Sequence, residues 1–366
     1  MNSSRGHHGE GNRDETFSIL PASIAEMLKA QTVRYRQDFE TAVSLVPSAR
    51  GAYQQSNRRA RDSYRYAWCV INTRSLYFNP PSMSAQSTQL HTDMFLEDEE
   101  FASSRRQSGG SNRFMVLCPL IDLLNHTSES ASACKVTHDN SGFTVISQKA
   151  LTGGEDEELF VSYGTHSNDF LLVEYGFLLP DNENTNDSIS LDSFVLPALS
   201  VEQKRRLDAK GYLGEYTLFS PAANGGKVGV CWRTEVAARI GLLPAEQWDG
   251  FVDGLVDEDE LGTVVKGKAG ATVQAWVTEM KKQADRSVAA LRDMGNDQQE
   301  IVRLFGDVFE DNGHAKAPAT STKSGNLGLN IIESGIQLAR RRYDVVFERW
   351  GQILHICASF LDQNEK

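Results

Sequence analysis

Apolar residues recur along this chain in three textures. Leu28, Tyr35, Phe39, Val43 and Val46 follow one another at steps of seven, four, four and three, which puts them on one face of a helix. Ser23-Ile-Ala-Glu26 has the spacing of a capping box at its start, and Pro47 is expected to stop it. A second helix is predicted over Ala49–Arg74, with Tyr53, Tyr64, Trp68 and Ile71 buried. From Phe114 the texture changes to short apolar runs with polar ends. The first is Phe114–Ile121. A hairpin follows, with strands near Cys134–His138 and Phe143–Ser147 joined by Asp139-Asn-Ser-Gly142. A strand Glu158–Tyr163 ends at Gly164, and the apolar segment Phe170–Phe177 closes the stretch.

Helical spacing returns beyond Pro180. Ser200-Val-Glu-Gln203 is a second capping box, and Gly211 suits the left-handed position after a helix end. Residues 227–232 read as a short strand. Thr234 is expected to cap Glu235–Ile240, Pro244 to open the next helix, and Thr272–Met294 to form another. The last helix carries Ile332, Ile336, Ala339, Tyr343, Val346, Trp350, Ile353, Cys357 and Phe360 at alternating steps of four and three. A coiled coil and a helix buried in its own bundle share that spacing. The bundle is the preferred reading, because no sequence neighbour supplies a matching seam of that length.

Polar, low-complexity stretches punctuate these elements. Residues 1–17 are expected to be a disordered tail, 79–112 (with the acidic run Glu97-Asp-Glu-Glu100) a disordered loop, and 311–328 a mobile one. The expected organisation is a helical region over 18–113, a strand-rich region over 114–179 and a helical domain over 180–366.

Composition narrows the class. The chain has 366 residues, 40% hydrophobic and 23% charged, as in ordinary soluble proteins. A net charge of −12 argues against a nucleic-acid partner, and an acidic surface suits a basic one such as a lysine-rich tail. Five scattered cysteines without a CxxC pair read as reduced thiols. With no secretory signal and no apolar run long enough to span a bilayer, the expectation is an intracellular protein of the cytoplasm or nucleus, with no membrane partner. The sequence carries no signal for an oligomeric state.

Single motifs are weak. Asn125-His126 alone reads as a turn, and Tyr163-Gly164 as a buried tyrosine at a strand end. Cys118, His126, Cys134 and His138 lack zinc-ligand spacing, so no metal site is expected. No GxSxG, Walker A or HExxH motif supports a hydrolase or nucleotide-phosphate reading.

Taken together they match a pattern. Pro119-Leu-Ile-Asp-Leu-Leu-Asn-His126, then Gly153-Gly-Glu followed by Glu158-Leu-Phe-Val-Ser-Tyr-Gly164, then Ser167-Asn168, Leu171-Leu172 and Tyr175-Gly-Phe177 resemble the C-terminal half of a SET domain. The branch it is similar to is the Rubisco large-subunit methyltransferase-like group of protein-lysine methyltransferases. Tyr66–Arg74 looks like the end of that branch's helical insertion, and Trp232–Gly241 like part of its C-terminal domain. The resemblance implies an α+β fold: a residual SET β-core, a helical insertion and an all-helical substrate-binding-like domain. The family's first strands carry a Gly-x-Gly turn. The one such triplet here is Gly9-Glu-Gly11 in the polar tail, so those strands are expected to be lacking.

The implied activity is methyl transfer from S-adenosyl-L-methionine (SAM) to a lysine of a protein substrate. Histidine stays open as the acceptor, and a catalytically impaired SET-derived protein-binding module is the alternative. By resemblance Tyr163 is the catalytic tyrosine, and Asn125, His126, Phe177 and Arg74 hold the cofactor. Asn125 and His126 would take its adenine end, Phe177 would pack on that ring and Arg74 would pair with its carboxylate. Tyr175 lines the lysine channel. These residue types suit the chemistry. In-line displacement needs a neutral amine in a narrow, desolvating site, and tyrosine rings favour a passing cation.

Overall fold

The computed structural model describes residues 15–46, 58–78, 114–139, 142–151, 158–181, 183–256, 258–306 and 327–364. The stretches expected to be disordered or mobile fall almost wholly outside these residues, as do Pro47 and Tyr53. The exceptions are residues 327–328, where the last helix begins, and the end of the tail. Residues 15–19 are helical, and the buried Thr16 donates its hydroxyl to Leu304 O at 3.0 Å.

The architecture is α+β, and the chain divides into two compact units: Met27–Asp187, and Met1–Glu26 with Ser188–Lys366. In the first unit, helix α1 (Ala22–Leu45) continues past the boundary and α2 (Arg58–Arg74) packs on it through an aromatic stripe. Tyr35 meets Tyr64 and Trp68 with ring centroids 5.9 and 5.5 Å apart, and Phe39 meets Tyr64 at 5.0 Å. Two sequence expectations fail here. The helix begins at Ala22, so Ser23 lies inside it and not at its cap. Ile71, expected buried, is 46% exposed, because the stripe that α1 covers runs through Tyr64 and Trp68.

Strand β1 (Ser75–Phe78) leaves α2 and pairs antiparallel with β2 (Phe114–Leu117). A four-stranded sheet of order β3-β6-β4-β5 follows. Its members are β3 (Asn125–His126), β4 (Ala133–Asp139), β5 (Gly142–Ile146) and β6 (Phe160–Val161). β4 and β5 are the predicted hairpin; β6 is far shorter than the predicted Glu158–Tyr163. It runs parallel between β3 and β4 and is bonded on both edges, which suits the apolar Phe160-Val161 pair. Beneath it Leu76, Cys134, Val161 and Tyr163 form a buried core.

The second unit is mostly helical but carries a three-stranded antiparallel sheet. Its strands are β7 (Ser188–Ser190), β8 (Thr217–Phe219) and β9 (Gly229–Val230), so the all-helical expectation is corrected. The helices are α4 (Asp192–Ala198), α5 (Val201–Ala209), α6 (Trp232–Arg239), α7 (Ala245–Val252), α8 (Gly262–Met294), α9 (Gln298–Phe305) and α10 (Leu327–Asn364). The Ser200 capping box forms in full, and Gly211 takes φ +75°. Thr234 does not cap. Its hydroxyl accepts from Thr217 N at 3.1 Å, tying α6 to β8, and the cap falls to Cys231. Pro244 is likewise the residue before α7 and not its first. Thr272 lies inside α8, its hydroxyl bonded back to Lys268 O at 2.9 Å, so that helix starts earlier than predicted. α10 packs along α8 and α9, with Tyr343 donating to Leu291 O at 2.7 Å. Ala339, Tyr343, Val346, Trp350, Ile353, Cys357 and Phe360 are all buried, as a bundle helix requires. No helix among the described residues is long and apolar enough to cross a membrane.

Candidate active site

The first unit brings most of the singled-out residues together where β3 and β6 end. Strand alternation turns Asn125 outward and His126 inward. Asn125 is exposed, its amide donating to Glu158 Oε1 at 2.6 Å. His126 is 6% exposed and accepts the backbone N–H of Tyr163 on Nδ1 at 3.0 Å. Its neutral ring therefore carries a proton on Nε2, which is buried with no hydrogen-bond partner among the described residues. Burial, and then the neighbouring His166, lower its pKa from 6.5 to about 4.

Tyr163 stands at the centre. Its ring lies 5.2 Å from that of His126, 4.9 Å from Tyr175 and 6.4 Å from Phe177. Its hydroxyl donates to Leu124 O at 2.8 Å. Burial pushes the phenol pKa up, and Arg74 beside it partly opposes that shift, so the hydroxyl keeps its proton at neutral pH. The next residue must be glycine. Gly164 has φ +127°, and a Cβ there would stand 2.5 Å from His166 Nε2.

Arg74 is the last residue of α2, and its Nη1 donates to Asp122 O at 2.6 Å. Leu120, just before, is an exposed non-glycine residue at φ 86°, ψ −46°, at the entry to a single 3-10 turn, Ile121–Leu123. Tyr175 is the last residue of a π-helical turn, Leu171–Tyr175, that follows helix α3 (Asn168–Phe170); Gly176 ends the turn in the left-handed region and Phe177 comes directly after it. Gln31 and Arg34 of α1 hold Glu174 of that turn, at 3.2 and 2.9 Å.

The sequence reading missed the carbonyls of Leu124 and Asp122, His166, and a buried amide network at Asn168. Backbone acceptors leave no residue signature. Only the density of Asn and Asp over residues 181–187 hinted at the network. Among the described residues no group of three or more His, Cys, Asp or Glu could hold a metal ion.

Comparison with known proteins adds an independent likeness. No family model matches. The chain is 26% identical over 266 residues to ribosomal lysine N-methyltransferase set11 of Schizosaccharomyces pombe, covering 68% of this chain and 56% of that protein. It is 23% identical over 251 residues to SET domain-containing protein 4 of Mus musculus, covering 67% of this chain and 50% of that protein. Thus the chain spans about half the length of the curated relatives it matches. Among solved structures it is similar to the SET domain of LSMT bound to lysine and AdoHcy. That match has a TM-score of 0.40 and 13% identity, and covers 96% of this chain and 66% of that one. The resemblance to SET-domain lysine methyltransferases read from the sequence is thus found again among the curated relatives.

Proposed function

We propose that this chain belongs to a SAM-dependent methyltransferase acting on a lysine side chain of a protein. The observation that carries the reading is the cluster in which His126 and Tyr175 each pack within 6.4 Å of both Tyr163 and Phe177, with Arg74 beside the Tyr163 hydroxyl. When bound, SAM supplies an electrophilic methyl on a sulfonium sulfur. The residues present fit such a group. Aromatic faces attract a cation, Arg74 offers a fork for a carboxylate, and the buried Nε2–H of His126 offers a donor.

The chain's own residues have four tasks in this scheme. Tyr163, its hydroxyl aimed by Leu124 O and held protonated, orients the attacking amine. Tyr175 lines the channel where desolvation keeps that amine neutral. Phe177 and His126 pack against the cofactor's adenine end, with Asn125 contributing from the strand edge. Arg74, positioned by Asp122 O, takes the carboxylate. The domain reading goes with it: residues 114–179 serve as the SET core, 18–113 as the insertion before it, and 180–366 as the substrate-binding region.

Calorimetric titration with SAM, followed by transfer of labelled methyl to ribosomal proteins, tests the proposal. The name of the fission-yeast relative makes those the first acceptors to try. Saturable SAM binding and label on lysine are expected. No binding at millimolar SAM would sink the enzyme reading and favour a non-catalytic binding module.

A further inference from the structure

Ser167-Asn168 belongs to the motif that carried the family resemblance, yet the chemistry above gives Asn168 no task. The structure gives it unusual surroundings. Asn168 is 1% exposed, in company with Asn184 at 2% and Asp187 at 4%. Its side-chain amide meets the backbone of Leu179 at two points. Nδ2 donates to Leu179 O at 3.0 Å, and Oδ1 accepts from Leu179 N at 3.2 Å. The same Oδ1 takes a second bond from Asn184 Nδ2 at 3.0 Å, and Asn184 Nδ2 also reaches His166 O at 3.0 Å. The backbone N–H of Asn168 goes to Asp187 Oδ1 at 2.8 Å.

This amide does for Leu179 what a neighbouring strand would do. It supplies an acceptor and a donor in one plane, so Leu179 ends a loop whose other end is Asn168 itself. Inside that loop lie Tyr175 and Phe177, on either side of Gly176. The turn is internally bonded too, Gly176 N reaching Leu171 O and Leu172 O at 3.0 Å each. Ring packing alone would let Tyr175 and Phe177 slide against Tyr163, since apolar contact is not directional. A two-point hydrogen-bonded closure fixes the register of the loop. Aspartate would lose the donor and bury a charge, and an aliphatic residue would remove both side-chain bonds to Leu179.

We propose that Asn168, held by Asn184, is a positioning residue that sets Tyr175 and Phe177 against Tyr163 for cofactor and acceptor. This rests on the methyltransferase reading of the cluster. The test uses the full-length protein with Asn168→Leu and the milder Asn184→Ala. Leu207→Ala, in the other unit, serves as a core control; Leu207 is fully buried. Variants are compared at a temperature where all are folded, by SAM affinity, by methyl transfer, and by amide exchange at Leu179.

Asn168→Leu is expected to lose exchange protection at Leu179 and to weaken SAM binding and transfer by about tenfold or more, a threshold equal to about 1.4 kcal/mol. Asn184→Ala should shift the same readouts less, and Leu207→Ala should lower the melting temperature without changing SAM affinity. If wild type binds SAM and Asn168→Leu binds it as tightly as the control and transfers methyl as well as wild type, the inference is overturned while the methyltransferase reading stands. If wild type itself does not bind SAM, both fall together.

Discussion

The backbone N–H of Tyr163 donates to His126 Nδ1 at 3.0 Å, so the ring that receives it stays a neutral acceptor. Protonating His126 would put a hydrogen on the atom that holds Tyr163 in place. Burial, followed by His166, accordingly brings the pKa from 6.5 to about 4. The unfolded chain takes up this proton near pH 6.5, the folded chain only near pH 4. Stability from this group is therefore complete above the higher value and lost as pH falls through the window, at about 1.4 kcal/mol per pH unit. Urea denaturation of wild type and His126→Phe across that range checks it. Wild type should show the steeper acid loss, and equal slopes would mean that His126 is not buried in its neutral form.

Tyr163→Phe removes the hydroxyl bonded to Leu124 O and leaves the ring packing intact. A stability loss of about 1 kcal/mol is expected. Methyl transfer should fall about a hundredfold, because orientation of the amine is what the hydroxyl supplies. SAM affinity should barely change. A large loss of affinity measured by calorimetry would reassign this tyrosine to cofactor binding.

Arg74 separates charge from shape. Its guanidinium reaches Asp122 O with one arm and lies beside the Tyr163 hydroxyl. Arg74→Lys keeps the charge but loses the fork, so SAM affinity should drop by about tenfold with Lys and further with Ala. Identical affinities for wild type and both variants would return Arg74 to the role of a helix-end arginine.

Leu120 holds φ 86° with a side chain 77% exposed. A bulky residue in that region is strained, and the strain is released in glycine. Leu120→Gly should raise stability by about 1 kcal/mol in chemical denaturation. Leu120→Ala should change it little, since the Cβ remains. If Leu120→Gly destabilises, the turn is not under strain in solution.

Much of the architecture was legible in advance. The alternating four-three steps from Ala339 to Phe360 marked a helix with one buried face, and the polar Asp139–Gly142 turn between apolar runs marked a hairpin. Both signals are local, and the hydrophobic effect acts on them whatever the partner. The cluster of His126, Tyr163, Tyr175 and Phe177 was legible only through motif order. No periodicity brings residues so far apart in sequence to one place.

Other features had no local signature. Ile71 fits the helical stripe yet faces out, because the partner helix offers its aromatic residues elsewhere. Thr234 has the chemistry of a cap, but its hydroxyl accepts from Thr217 N of β8. The two-residue strand β3 exists because it finds a neighbour in β6, not because Asn125-His126 prefers extended backbone. The sequence by itself determined the helices, the hairpin and the residue types of the site, through short-range spacing and side-chain chemistry. Only the tertiary structure decided which caps form, which faces are covered and how Asn168 closes the loop of the site. Those outcomes depend on which unpaired donor or acceptor comes within about 3 Å of another once the chain has folded.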